Sequence, residues 1–310
     1  MTTPCSNGQG QSESEILDKR LADDPEKAKA LQMKLIAAGG ESITPESADL
    51  WEASSPHPTS FPWVEWLDGS GSCADMLLLL SELFQPDDVL YIGTGFEKTH
   101  GQPEHVKTRD QWIEYFTLEM NSLRHDSADN QRCRLRKLAV NFAYFIVNPV
   151  NGKRSAAGSF RSDANIETFR YTVLESDSLP QLDKQIALLN GLRLPIVSLV
   201  FSGNKSIHAL IDTAQINGGK EITSFEEWQR VVKNGLFKQI KRFGFDEKTS
   251  NPSRLTRLPG IIRFPEKTDE NGNVMKDAYG NDMIDYDNWN DARFQSLLYV
   301  NRKGGALCLM

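Results

Sequence analysis

Cysteine is scarce and scattered in this chain: its four (Cys5, Cys73, Cys133 and Cys308) include no CxxC pair. That excludes a disulfide framework and the common zinc spacings, and it fits thiols kept reduced in a cytoplasm. Long apolar runs are also missing. The run from Met76 to Leu80 is far shorter than the ~20 residues a membrane helix needs, so no membrane partner is expected. No basic-then-apolar leader opens the sequence, which argues against export. Positive charge is in deficit, with 35 Lys and Arg against 42 Asp and Glu. A net charge of −7 excludes a chain that coats nucleic acid or anionic lipid by total charge. There is no GxxxxGK[ST] loop, no EF-hand loop and no helicase motif, and no internal repeat is evident. The rest is ordinary. At 310 residues, 39% hydrophobic and 25% charged, the chain can bury a core the size of one large domain or two lobes.

Residues 1–15, rich in Gly, Ser, Gln and Thr, read as a disordered tail. A mixed-charge helix over 15–38 ends at Gly39-Gly40. A loop with Pro56, Pro58 and Pro62 set among Trp51, Trp63 and Trp66 follows it. A helix over 73–84, a strand over 88–93, a helix over 110–120 and a strand over 139–147 complete an α+β lobe, residues 16–150. Residues 151–310 form a second lobe with a C-terminal extension. Its order is strand 171–177, helix 181–190 stopped by Gly191, strand 194–201, a tight turn at Gly203-Asn204, and strand 206–212. Ser224 then caps a long helix over 225–243, with Glu227 placed as in a capping box. That order predicts an RRM-like, mainly antiparallel sheet packed by helices. Residues 269–289, rich in Asp, Asn and Gly, read as a long hairpin or loop.

Three segments carry chemistry. Behind the apolar run Tyr171-Thr172-Val173-Leu174 stand Glu175 and Asp177, which share one face if the run is a strand. Neighbouring carboxylates repel unless a cation lies between them, and hard oxygens suit Mg²⁺ or Mn²⁺. Surface acids at a strand end are the plainer alternative. Against that, the strand is apolar enough to be central, where two uncompensated charges are costly. The second segment is Ser202-Gly203-Asn204-Lys205-Ser206-Ile207-His208. Two hydroxyls, a lysine and a bare glycine backbone make a place for a polyphosphate, with His208 on the face of Ser206. The third runs from Asn251 to Gly260 and on to Arg263, with Arg254, Arg257 and Arg263 suited to bidentate phosphate contacts. Between Arg230 and Lys267 there are ten Lys or Arg against three Asp or Glu, a local basic surface in an acidic chain.

In this order, Glu-x-Asp after an apolar strand, Ser-Gly-Asn-Lys-Ser-x-His and Pro-Ser-Arg-Leu-x-Arg-Leu-Pro-Gly resemble the archaeo-eukaryotic primase superfamily. The nearest likeness is to primase and primase-polymerase domains of phages, plasmids and other mobile elements. The resemblance covers about residues 140–265. It implies a two-lobed primase-type core with an RRM-like sheet, in a bacterial or phage-infected cell. It implies Glu175 and Asp177 as metal ligands and catalytic residues, and His208 as the signature of a nucleotide-phosphate motif with Ser202, Gly203, Lys205 and Ser206. The family's third motif supplies another acid. Here Asn251-Pro252 stands in its place, and Asp246, slightly upstream, is the carboxylate that could substitute. Arg254, Arg257 and Arg263 then contact template or triphosphate, and Arg161-Ser162-Asp163-Ala164-Asn165 lines the nucleotide site.

The expected reaction is template-dependent nucleotidyl transfer: a 3′-hydroxyl attacks the α-phosphate of an NTP or dNTP on single-stranded DNA, with two divalent ions. Unwinding falls to a replicative helicase in trans. One rival is a replication-initiation protein that binds single-stranded DNA or nucleotide and has lost synthesis, as Asn251 would suggest. Another is a phosphodiesterase using the same ions on water, which the Lys205–His208 turn suits less well.

Overall fold

The computed structural model describes residues 73–94, 103–176, 194–278 and 280–300, together with Gln185, Leu189 and Leu192. The tail, the helix over 15–38, the tryptophan-rich loop and Asp177 lie outside the described residues, as does most of the helix over 181–190. The first helix, α1 (Ala74–Leu83), places Met76, Leu79, Leu80 and Leu83 at helical spacing and buries all four. Strands β1 (Val89–Gly93) and β2 (Val106–Thr108) pair antiparallel. Thr108 then opens α2 (Arg109–His125) through a reciprocal capping box with Gln111. Helix α3 (Ala128–Asn141) returns beside it, and Arg134 ties the pair by reaching Glu119 at 2.6 Å and Asp126 at 2.9 Å.

The strand expected over 139–147 is present but shorter, and it begins later. Ala139 to Asn141 are the last helical turn, and only β3 (Tyr144–Ile146) is extended. The mostly apolar stretch from Leu138 to Val147, broken only by Asn141, hid a helix end, because periodicity alone does not separate a buried helix terminus from a strand.

The second sheet is built from β4 (Tyr171–Leu174), β5 (Ile196–Phe201) and β6 (Ile207–Asp212). After the short α4 (Thr213–Ile216), Ser224 Oγ accepts from Glu227 N at 3.2 Å and starts α5 (Phe225–Trp228). The helix runs on through π-helical turns, Gln229–Phe237, and α6 (Lys238–Ile240). Then come β7 (Leu255–Arg257), β8 (Ile262–Arg263), β9 (Arg293–Phe294) and β10 (Ser296–Val300). One sheet has the order β2-β1-β3-β7, the other β10-β5-β6-β4, and β8-β9 is a separate ribbon. All pairings are antiparallel, and the fold is α+β. The closing strand β10 joins the β5 edge of its sheet.

Two apolar cores lie on the two faces of the second sheet. Leu174, Phe201, Ala209 and Ile211 pack with Trp228, Val232, Leu236 and Ile240 of the long helix. Val173, Val200, Leu210 and Leu297 pack instead with α1, α2 and β3, through Met76, Leu80, Trp112 and Phe145. The second sheet thus has the long helix on one side and α1 with the first sheet on the other.

Residues 265–285 form a three-way junction of hairpins. Met275 N donates to Lys267 O, Met283 N to Met275 O, and Lys267 N to Met283 O, each at 2.8–2.9 Å. Each of two arms is closed in the same way. Asp269 Oδ1 accepts from Asn273 N at 2.8 Å, and Asp277 Oδ1 accepts from Asn281 N at 2.9 Å. Each asparagine amide returns a bond to its aspartate. This is an eight-residue repeat, Asp-x-x-Gly-Asn, where the sequence reading finds none. Its information lies in side chain-to-backbone bonds, not in apolar periodicity. Among the described residues no helix is long and apolar enough to cross a membrane.

Candidate functional site

Register brings the first two segments together. Leu174 pairs with Ala209 across β4 and β6, so Glu175, one residue on, falls beside His208 on the face opposite the long helix. The expected contact follows: His208 Nε2 lies 3.1 Å from Glu175 Oε2. The other wall comes from β7. Thr256 Oγ1 is 2.7 Å from His208 Nδ1, and the Arg254 guanidinium donates to Glu175 Oε1 at 2.7 Å. The site therefore lies in the crevice between the two sheets, one wall from β4 and β6 and the other from β7.

These contacts suit one neutral tautomer. A carboxylate only accepts, so Nε2 carries the hydrogen toward Glu175, and in the neutral ring Nδ1 accepts from the Thr256 hydroxyl. Ser206 Oγ lies 3.2 Å from the same Nε2 and donates onward to Ser202 Oγ at 3.0 Å. Ser206 N also donates to Ser202 Oγ, at 3.2 Å, and Ser202 N to Ser206 O, at 2.9 Å. The two serines close the turn upon themselves. Lys205 instead projects as an exposed residue, its carbonyl accepting from Gln185 Nε2 at 2.7 Å. Gly203 has φ 78°, and an added Cβ would come within 3.0 Å of Arg263 Cβ and 3.2 Å of Arg293 O. Only glycine fits that turn against the β8-β9 ribbon.

Asp246 is brought next to Glu175 through the backbone, its N–H donating to Glu175 O at 3.0 Å. Its Oδ1 caps the short turn Glu247–Thr249 by accepting from Lys248 N at 2.9 Å. Asn251 lies further along and donates to Ser253 Oγ at 3.0 Å. Ser253 Oγ in turn donates to Asp163 Oδ1 at 2.6 Å, which links the Arg161–Asn165 block to the third segment. Arg161 itself donates to Thr94 O at 2.9 Å. Among the described residues no three of His, Cys, Asp and Glu gather as a metal set. The donors fit a hard divalent ion in part: the Glu175 and Asp246 backbones adjoin, while Arg254 already balances the charge of Glu175.

The three arginines part company. Arg254 belongs to Glu175, and Arg263 to Glu266 at 2.8 Å. Arg257, alternating to the other face of β7 from Thr256, lies over the Tyr144 ring at 4.2 Å. Burial holds its guanidinium below the usual arginine range, and the nearby Arg263 charge pushes the same way. Arg230, Lys233 and Lys238 lie apart from all of these, on the exposed side of the helix that covers the sheet's other face. Sequence reasoning missed Thr256 and Tyr144. The alternation of Arg254 and Thr256 about Leu255 was the available signal for the first, and nothing local marked the second.

No protein-family model matches the chain, and a search of curated proteins finds no match. Among solved structures the chain is similar to the AEP domain of the cyanophage S-2L primase-polymerase (PrimPol), at 16% identity and a TM-score of 0.39. The match covers 76% of this chain and 92% of that one.

Proposed function

We propose that the chain carries out template-dependent nucleotidyl transfer on single-stranded DNA, as a primase or primase-polymerase. The observation that carries this reading is the 3.1 Å approach of His208 Nε2 to Glu175 Oε2, which puts the acidic strand end and the Lys205 hairpin in one crevice. In this reading Lys205 and the glycine turn grip the β- and γ-phosphates of an NTP or dNTP, with Ser202 and Ser206 setting the turn and His208 forming its inner wall. Glu175, Asp177 and Asp246 would hold Mg²⁺ or Mn²⁺, which would supply Lewis acidity to lower the pKa of the attacking 3′-hydroxyl and offset charge on the phosphoryl oxygens. Thr256 holds the imidazole in one orientation, and Arg254 keeps the Glu175 carboxylate aimed into the crevice. A replicative helicase in trans supplies the unwound template.

Incorporation of labelled nucleotide on a single-stranded template with Mg²⁺ or Mn²⁺ tests this. Glu175→Gln and Asp177→Ala are each expected to lower incorporation by roughly a hundredfold or more, the scale of losing a principal electrostatic group. Wild-type rates in either variant would overturn the assignment.

The Arg254–Glu175 pair also favours a second reading. A carboxylate already neutralised by a guanidinium, with Asn251 where another acid would serve, suits a replication-initiation protein that binds single-stranded DNA or nucleotide without turnover. Binding without product in the same assay would select it.

A further inference from the structure

Beside the hairpin, on the Arg257 face of β7, a cleft of about 190 Å³ opens between the end of α3 and the stem of the three-way hairpin junction. It is smaller than the roughly 300–1,000 Å³ of pockets that enclose a whole drug-sized ligand, so it suits one flat ring system. Its lining carries both charges: Arg257 and Arg263 with Tyr144, and Glu266 and Asp282 with Tyr286, Arg263 and Glu266 meeting at 2.8 Å. Aromatic rings with both donors and acceptors at the edge suit a nucleobase.

The groups have bonding capacity to offer. Among the described residues Arg257 has no hydrogen-bond or ion-pair partner, and its guanidinium rests on the Tyr144 ring. Half-buried there, the guanidinium keeps its N–H groups to donate to a guest in the cleft. Glu266 uses Oε1 on Arg263 and Asp282 uses Oδ1 on Lys276, so each keeps a second oxygen as an acceptor. An arginine fork matches the adjacent O6 and N7 acceptors of guanine, and a carboxylate matches its N1–H and N2–H₂ donors. Adenine turns a lone pair at N1 toward the acids and an amino group toward the arginine. Cytosine offers the acids a single donor group.

We propose that this cleft is a base-reading subsite selective for guanine, of a free nucleotide or of a strand. Its place next to the turn follows from Gly203, whose missing Cβ leaves room for Arg263. The proposal rests on the nucleotide reading of the hairpin only for where the phosphates lie.

Equilibrium binding of GMP, AMP, CMP and UMP to the full chain, without divalent metal, tests it by calorimetry. GMP is expected to bind about tenfold or more tighter than the other three, the low end of what one bidentate base contact gives. Glu266→Gln and Asp282→Asn, checked for folding by circular dichroism, should each narrow that preference, and Arg257→Met should weaken GMP binding itself. Short oligo-dG against oligo-dA shows the source of the base. Selectivity in the oligonucleotide arm alone upholds the cleft with a strand as its guest. Equal binding of all bases, no binding in either arm, or a preference untouched by both acid variants would overturn it. The transfer reading fails separately: a chain that selects guanine but incorporates nothing keeps the cleft and loses the polymerase.

Discussion

Glu175 is held from both sides, by Arg254 at one oxygen and His208 at the other, while its own carbonyl accepts from Asp246 N. With its side chain 14% exposed, the carboxylate is shielded from much of the solvent that would otherwise screen it. Removing one partner of such a pair leaves charge uncompensated, discounted here because the Arg254 side chain is 32% exposed. Arg254→Gln is therefore expected to cost about 1–3 kcal/mol by urea denaturation. The double variant with Glu175→Gln should cost less than the sum of the two single changes. The guanidinium is also a competitor for any divalent ion, so the same variant should bind Mn²⁺ several-fold more tightly by electron paramagnetic resonance. Unchanged affinity would mean that Arg254 does not stand in the ion's way. Of this cluster, strand alternation made legible which side chains share a face, but the direct Glu175–His208 contact comes from the pairing of β4 with β6, which no local pattern specifies. The partnership with Arg254, 79 residues on, was not legible either, because no local pattern specifies which arginine of three turns toward an acid.

At the scale of elements, α1 is joined to β10 by a single buried acid. Asp75 Oδ2 accepts from Leu297 N at 2.9 Å, next to the bulge between Leu297 and Tyr299. Burial pushes the Asp75 carboxyl up from 3.8 to about 7, and the Leu297 donor offsets only part of this. Between about pH 4 and 7 the folded chain holds a proton that the unfolded chain has released, so stability falls as pH rises through that window and levels off above it. At 1.36 kcal/mol for each pH unit, the whole effect is about 4 kcal/mol. Asp75→Asn keeps an acceptor for Leu297 N and cannot ionise. Its urea midpoint should match wild type near pH 4 and exceed it at pH 8, and parallel curves across that range would refute the assignment. The sequence did show α1, whose apolar residues recur at helical spacing, but not β10, which binds it. Elements with a clear period were legible; over 269–289 a hairpin or loop was legible too, but not its division into two arms closed by Asp269 and Asp277.

Taken as a whole, the molecule distributes its basic residues on two sides of one sheet, which a count along the chain cannot show. Arg254, Arg257 and Arg263 border the crevice and its neighbouring cleft, whereas Arg230, Lys233 and Lys238 face solvent on the helix covering the opposite face. A strand lying across the crevice and the cleft would meet the first group and leave the second in water. Each phosphate neutralised on single-stranded DNA contributes about 0.7 to the slope of log affinity against log salt. Changing Arg230, Lys233 and Lys238 together to glutamine should therefore leave that slope nearly unaltered, while Arg257→Gln with Arg263→Gln lowers it, by up to about 1.4 if both contact phosphates. Filter binding of oligo-dT between low and moderate salt reads both. A drop of about 2 in the helix variant, with the arginine pair unchanged, would mean that the template follows the outer helix and that the crevice holds only the nucleotide.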